Sequence, residues 1–209
     1  KTDVERRQMI NALGPIWDGN EVWMITAGGA LFASFPHVYA TLFSGFYMAL
    51  FLMLAVLIMR GVAFEFRSKS PNRTWRKVFD YCIFIGSIVP ALLWGVTVGN
   101  LIQGTPIDET MTYVGTFWDL LSPYTVLCGV AFILVFTYHG GLFTSLKTAG
   151  PVSERARAAA LVTGVPTAIG VIALIIASYV CTDLYNSTLA IVFCALAVVC
   201  FLISWGATR

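Results

Sequence analysis

Histidine and charge are what this chain has least of. Only two histidines, His37 and His139, occur in 209 residues, and charged side chains make up 11%. A soluble domain carries about 25% charged residues, so a water-facing globular fold is excluded. Two histidines are too few for axial ligation of several haems or for a histidine-built metal centre. Cysteine is also sparse, and no C-x-x-C spacing links Cys82, Cys128, Cys181, Cys194 and Cys200. Four lie within apolar runs and Cys181 ends one. Cysteines so placed read as small apolar helix residues, not as disulfides or metal ligands. The chain contains no Walker A motif, no dinucleotide fingerprint and no nucleophile elbow, which removes the usual routes to nucleotide binding and serine hydrolysis. It also has no low-complexity tract and no clear internal repeat, and no signal peptide is expected at the start.

What the sequence does have is apolar length. Hydrophobic residues make up 58%, and the mean hydropathy is +0.80. The runs exceed the roughly 20 residues that a spanning helix needs, so the fold class is all-α, a polytopic transmembrane helix bundle, not a barrel. The uncharged stretch from Val22 to Met59 holds 38 residues, enough for two spans, with Pro36-His37 as the turn. Six spans are expected, at about 13–35, 38–59, 81–102, 120–146, 158–181 and 189–205, in a single transmembrane domain covering 1–209. Pro90 and Pro166 fall inside two of them. Gly28-Gly29-Ala30, Gly45 and the Gly95-x3-Gly99 spacing are signals for close helix packing. Thr2-Asp3-Val4-Glu5 fits a capping box, so a surface helix is expected to start at Asp3.

The bases fix an orientation. All 13 Lys and Arg lie in 1–7, 60–77, 147–157 or at Arg209, and none lies in 36–38, 103–119 or 182–188. With six spans these two sets fall on opposite sides. The positive-inside rule then puts the N-terminus, the 60–77 and 147–157 loops and Arg209 in the cytoplasm. The chain opens on Lys1 rather than Met and stops at Arg209 directly after an apolar run, from which material is expected to be missing at one or both ends.

The chemistry concentrates at Gly14-Pro15-Ile16-Trp17-Asp18-Gly19-Asn20-Glu21-Val22-Trp23. The uncharged stretch from Val22 to Phe35 would give only about 21 Å of helix, short of a hydrocarbon core of about 30 Å. A span there must reach back to about Leu13, which draws Asp18 and Glu21 inside the membrane boundary. Ionisable groups at that depth are costly and are functional candidates by default. At i,i+3 the two acids share a helix face. They can serve protons or an ion, or they can simply face headgroups at a helix start, where acids suit the dipole. Trp17 and Trp23 can be interface anchors, an apolar wall beside Asp18, or a stacking surface for a quinone ring. His139, beside Gly140-Gly141, can relay protons or bind a cofactor, but is expected to be a hydrogen-bonded interior residue. His37 is expected to be a solvated turn residue.

The run from Pro15 to Trp23, continuing Thr26-Ala27-Gly28-Gly29-Ala30-Leu31-Phe32-Ala33, resembles subunit II of the cytochrome bd-type quinol oxidases. The resemblance extends through Tyr39-Ala40, Phe43-Ser44-Gly45-Phe46-Tyr47, Arg67-Ser68-Lys69 and Ile83-Phe84-Ile85-Gly86-Ser87 to Gly99-Asn100-Leu101-Ile102-Gln103-Gly104. Glu5-Arg6-Arg7 to Met9-Ile10-Asn11 is also similar to the family's approach to this motif. It is close over 3–104; beyond 105 it rests on the span pattern. The resemblance implies a respiratory oxidoreductase of the bacterial inner membrane, a heterodimer that oxidises quinol and reduces dioxygen to water. Haems b and d and the quinol-oxidising site would belong to a haem-bearing subunit I, and this chain would bind no haem. The Trp-Asp pair of the family, matched by Trp17-Asp18, implies a proton path at Asp18 and a structural quinone near Trp17. Other expected partners are a small accessory subunit, quinone and membrane lipid, with no nucleic acid. The family also has a further spanning helix before this region and more spans after it.

The expected site is therefore a proton path of Asp18, Glu21 and Asn20, with Thr26 two turns deeper, and Trp17 and Trp23 as quinone or structural contacts. No catalytic or metal residue is expected in this chain. Two rival readings stand beside it. One is an ion-coupled transporter or channel subunit with Asp18 and Glu21 as its ion site. The other is a purely structural scaffold in which Trp17 and Asp18 only satisfy packing.

Overall fold

A computed structural model describes residues 2–208, and these are almost entirely helical. The helices are α1 (Asp3–Leu13), α2 (Trp17–Ser34), α3 (Pro36–Gly45), α4 (Tyr47–Phe66), α5 (Arg73–Gln103), α6 (Pro123–Lys147), α7 (Pro151–Cys181) and α8 (Thr188–Ala207). Short 3-10 turns lie at 67–69, 117–120 and 184–186. Lys1 and Arg209, which belong to the basic groups counted above, lie outside the described residues.

Among the described residues, five helices are long and apolar enough to cross a membrane: α4 with its following turn, α5, α6, α7 and α8. The first expected span, 13–35, is not one of them. Its helix is α2, whose 18 residues include Asp18, Asn20 and Glu21 and span about 27 Å. The second span, placed at 38–59, is two helices, α3 and α4, broken at Phe46. Phe46 is buried, and Tyr113 from the distal loop, 104–122 between α5 and α6, packs over Gly45 there. The loop expected from Arg60 to Lys77 is much shorter. Apolar Val62, Phe64 and Phe66 carry α4 on past Arg60, so the link is only 67–72. The loop expected over 147–157 is also shorter: Pro151 at the N1 position starts α7 there, so about two turns, 151–157, are helical.

Packing follows chain order. α4 lies on α5, α5 on α6 and α6 on α7. The α5/α6 seam depends on missing side chains. A Cβ on Gly95 would come within 2.6 Å of the Cys128 carbonyl oxygen, and one on Gly99 within 2.9 Å of Cys128 Sγ. Gly86 lets α5 reach α4, where a Cβ would meet Arg60 Cβ at 2.6 Å. Asn100 closes the far end of this seam by donating from Nδ2 to the carbonyls of Val96 and Leu120, each at 2.8 Å. α8 buries none of its described residues and touches α6 and α7 mainly through Phe201, Ser204 and Trp205. The five cysteines are free.

The ends of the bundle differ in charge. α1 begins in the expected capping box, with Thr2 Oγ1 accepting from Glu5 N–H and Glu5 reaching back to Thr2 N–H. It lies where α4 ends and where α5 and α7 begin. Asp3 pairs with Arg67 at 3.0 Å and Arg76 at 2.9 Å, Arg6 pairs with Asp80, and Glu5 pairs with Arg155 at 2.7 Å. Arg67 is 1% exposed, and its Nε also donates to Asp80 at 2.6 Å. The opposite end, formed by 104–122 and 182–187, has no base. Its loop is held by its own acids. Asp108 accepts from Thr110 N–H, Thr110 Oγ1 and Thr112 N–H, and Asp119 accepts from Thr116 N–H and Oγ1. These bonds favour the charged forms and lower both carboxyl pKa values.

Candidate functional site

α2 starts at Trp17, just after Gly14-Pro15-Ile16 ends the surface helix. From there it runs along α4 and then meets α3. Trp17 packs on Phe64 with ring centroids 5.3 Å apart, and its ring lies against Gly61, where a Cβ would sit 3.4 Å away. One turn on, Glu21 receives a hydrogen bond from Arg60 Nη2 at 2.5 Å, each side chain 21% exposed. Met24 then packs on the cluster of Ala49, Met53, Leu57 and Leu93. Further along, Gly28 faces Phe43, and Phe32 meets Tyr39 edge-on at 5.1 Å. Trp17, Glu21, Met24, Gly28 and Phe32 thus form a helical stripe at spacings of three and four.

The two acids of the motif are separated in role. Glu21 faces inward and is neutralised by Arg60, whose guanidinium also lies 6.0 Å above the Phe64 ring. Asp18 is exposed and has no hydrogen bond or ion pair among the described residues. Asn20 is exposed beside it. Thr26 gives its hydroxyl proton to the Val22 carbonyl of its own helix at 2.8 Å, which leaves only its oxygen lone pair for a water. Trp23 is 74% exposed on the outer face of α2. Trp17 is therefore an internal packing residue and Trp23 an outward one.

Sequence reasoning missed Arg60, because it was grouped with a basic loop. The signal was present: Arg60 is the only base between Arg7 and Arg67, directly after an apolar run. It sits within α4, six residues before the helix ends, about 9 Å along its axis. His139 departs from expectation as well. It is exposed on α6 instead of hydrogen-bonded inside. His37 lies exposed in the first turn of α3.

The two histidines are on different helices, His37 beside the base-free end and His139 eight residues from the basic one. No group of three or more His, Cys, Asp or Glu side chains converges among the described residues. A cavity of about 200 Å³ does open near the base-free end between α5, α6, α7 and α8, with Tyr124, Ser178, Tyr185 and Cys194 in its wall. Tyr124 and Ser178 share a hydrogen bond at 2.9 Å. Burial, with the Cys194 thiol beside it, pushes the Tyr185 phenol up to about 12.

These features define a multi-pass helical membrane protein in which, among the described residues, one carboxylate at the start of α2 is unpaired and the next is ion-paired. The chain belongs to the cytochrome bd terminal oxidase subunit II family, which it matches over residues 1–209. It is 48% identical over 171 residues to cytochrome bd-I ubiquinol oxidase subunit 2 of Escherichia coli strain K12, covering 80% of this chain and 45% of that protein. A probable cytochrome oxidase subunit 2 of Haemophilus influenzae is 47% identical over 173 residues, covering 81% of this chain and 46% of that protein. Cytochrome bd ubiquinol oxidase subunit 2 of Bacillus subtilis is 39% identical over 204 residues, covering 97% and 60%. The chain spans about half the length of these relatives.

Proposed function

We propose that this chain works as the non-haem subunit II of a quinol oxidase that reduces dioxygen to water, packed against a haem-bearing subunit I in the bacterial inner membrane. Membership of the family and the names of its relatives support that reading. The basic end of the bundle faces the cytoplasm in this proposal, as the positive-inside rule favours. α2 is then a sixth crossing, packed along α3 and α4.

Within that frame Asp18 collects protons from the cytoplasm. The observation that carries this is the division of labour between the acids: Arg60 neutralises Glu21, while Asp18 is exposed and unpaired among the described residues. An ion site built from both acids would need Glu21 free of Arg60. A free carboxylate at the mouth can exchange protons with water and hand them inward through waters held by Asn20 and the Thr26 oxygen. Quinol oxidation on the outer side would release its protons there. Uptake from the cytoplasm would then separate charge without a pump. Trp17 serves this arrangement by fixing the start of α2 against Phe64, which favours its structural role over a quinone contact.

Asp18→Asn keeps the shape and removes proton exchange. Oxygen consumption by the purified complex is expected to slow about tenfold or more, with charge separation lost and assembly intact. Unchanged turnover with normal proton uptake would overturn the assignment.

A further inference from the structure

α7 and α8 meet at their basic ends through Trp205. Its indole N–H donates to the Leu161 carbonyl at 3.3 Å, and the ring lies so close to Gly164 that a Cβ there would be 2.6 Å from Nε1. Beside this contact lies an open groove of about 620 Å³ walled by Leu161, Val162, Val165, Pro166 and Trp205. That volume is within the range of small-molecule sites, about 300–1,000 Å³. Apart from the indole nitrogen, every side chain in the wall is apolar.

The groove has a charged rim. Arg157 precedes Leu161 by four residues, so it stands one turn below it on the same face of α7. Its Nε donates to the Thr208 carbonyl at 2.6 Å, which ties it across the groove to α8. Arg157 is exposed, and its remaining nitrogens have no hydrogen bond or ion pair among the described residues. Neighbouring charges leave it unneutralised. Arg155 takes Glu5, and Glu154 pairs with neither arginine. Arg157 is also the last charge before the uncharged run from Ala158 to Thr182. It therefore stands at the boundary of the hydrocarbon core, with the groove about 6–14 Å deeper along α7.

We infer that this groove is a phospholipid site, selective for anionic headgroups. Arg157 holds the phosphate through its free guanidinium nitrogens, and an acyl chain lies against Leu161, Val162, Val165 and Pro166. A cation at headgroup depth directly above an apolar slot is the complement of an anionic lipid.

The test is native mass spectrometry of the membrane complex purified through this chain and exchanged into micelles with equal phosphatidylglycerol and phosphatidylethanolamine. Wild type is expected to retain phosphatidylglycerol about fivefold over phosphatidylethanolamine, the preference that one basic side chain near the surface provides. Arg157→Gln abolishes the preference, and Val162→Trp, which fills the groove from an exposed position, removes both lipids. A photo-crosslinker at position 162 is expected to label lipid. Equal retention of the two lipids by wild type, unchanged retention in both variants, or a crosslink to protein in place of lipid would each overturn the proposal. The protein crosslink would assign the groove to a helix.

Discussion

Arg60 shows how much one side chain decides. Its guanidinium bonds Glu21 from a helix 39 residues away in sequence, and both groups are largely withdrawn from water. Removing one partner of such a pair leaves an uncompensated charge that is largely withdrawn from water. Arg60→Met is expected to lower the stability of the subunit by about 2–4 kcal/mol. Arg60→Met combined with Glu21→Met should recover most of that loss, because no charge is stranded. Thermal unfolding of the two variants in detergent checks it, and equal destabilisation in both would disprove the coupling. Asp18, by contrast, has no partner among the described residues, so its substitution should change proton transfer and leave the melting temperature where it was.

At the scale of elements, contacts between helices are set by glycines in some places and by aromatic rings in others. Gly95 and Gly29 both sit mid-helix, yet they answer to different physics. A methyl group at Gly95 would collide with backbone atoms of α6 that cannot swing aside, while nothing lies within 4 Å of one at Gly29. Gly95→Ala should therefore destabilise by about 2–3 kcal/mol through overpacking. Gly29→Ala should be neutral or stabilising by about 0.5–1 kcal/mol, because it only reduces backbone freedom in the unfolded chain. Melting temperatures of the two variants decide the matter. The break between α3 and α4 belongs to this scale too. Tyr113 occupies the space over Gly45, and Thr41 bonds the Met111 carbonyl at 2.5 Å, so the distal loop covers the bend.

For the whole molecule, the division of charge between two ends organises everything else. α1 carries acids to the basic end and ties α4, α5 and α7 together through Asp3, Arg6 and Glu5. Each exposed pair contributes little alone, but together they stitch the first helices to the later ones. The proposed orientation predicts which loops meet which compartment. In intact cells, a membrane-impermeant thiol reagent should label Thr110→Cys and spare Ser70→Cys and Thr148→Cys, in a background with the native cysteines replaced. Labelling of all three, or the reverse pattern, would refute the orientation.

Much of this was legible in the chain itself. Hydropathy is a local property, so the helical class, the long apolar helices and the separation of basic from base-free loops follow from the residues alone, as does the capping box at Thr2. The Gly95-x3-Gly99 signal also marked a real seam. Tertiary structure decided the rest, because the forces that did so act between residues distant in sequence. A spacing of i,i+3 puts Asp18 and Glu21 on neighbouring positions of one helix, but only the approach of α4 selects Glu21 as the paired acid and leaves Asp18 free. The same approach takes Trp17 inward and leaves Trp23 outward. The bend at Phe46 and the groove beside Trp205 are likewise products of packing, where one helix meets the ring or the missing side chain of another.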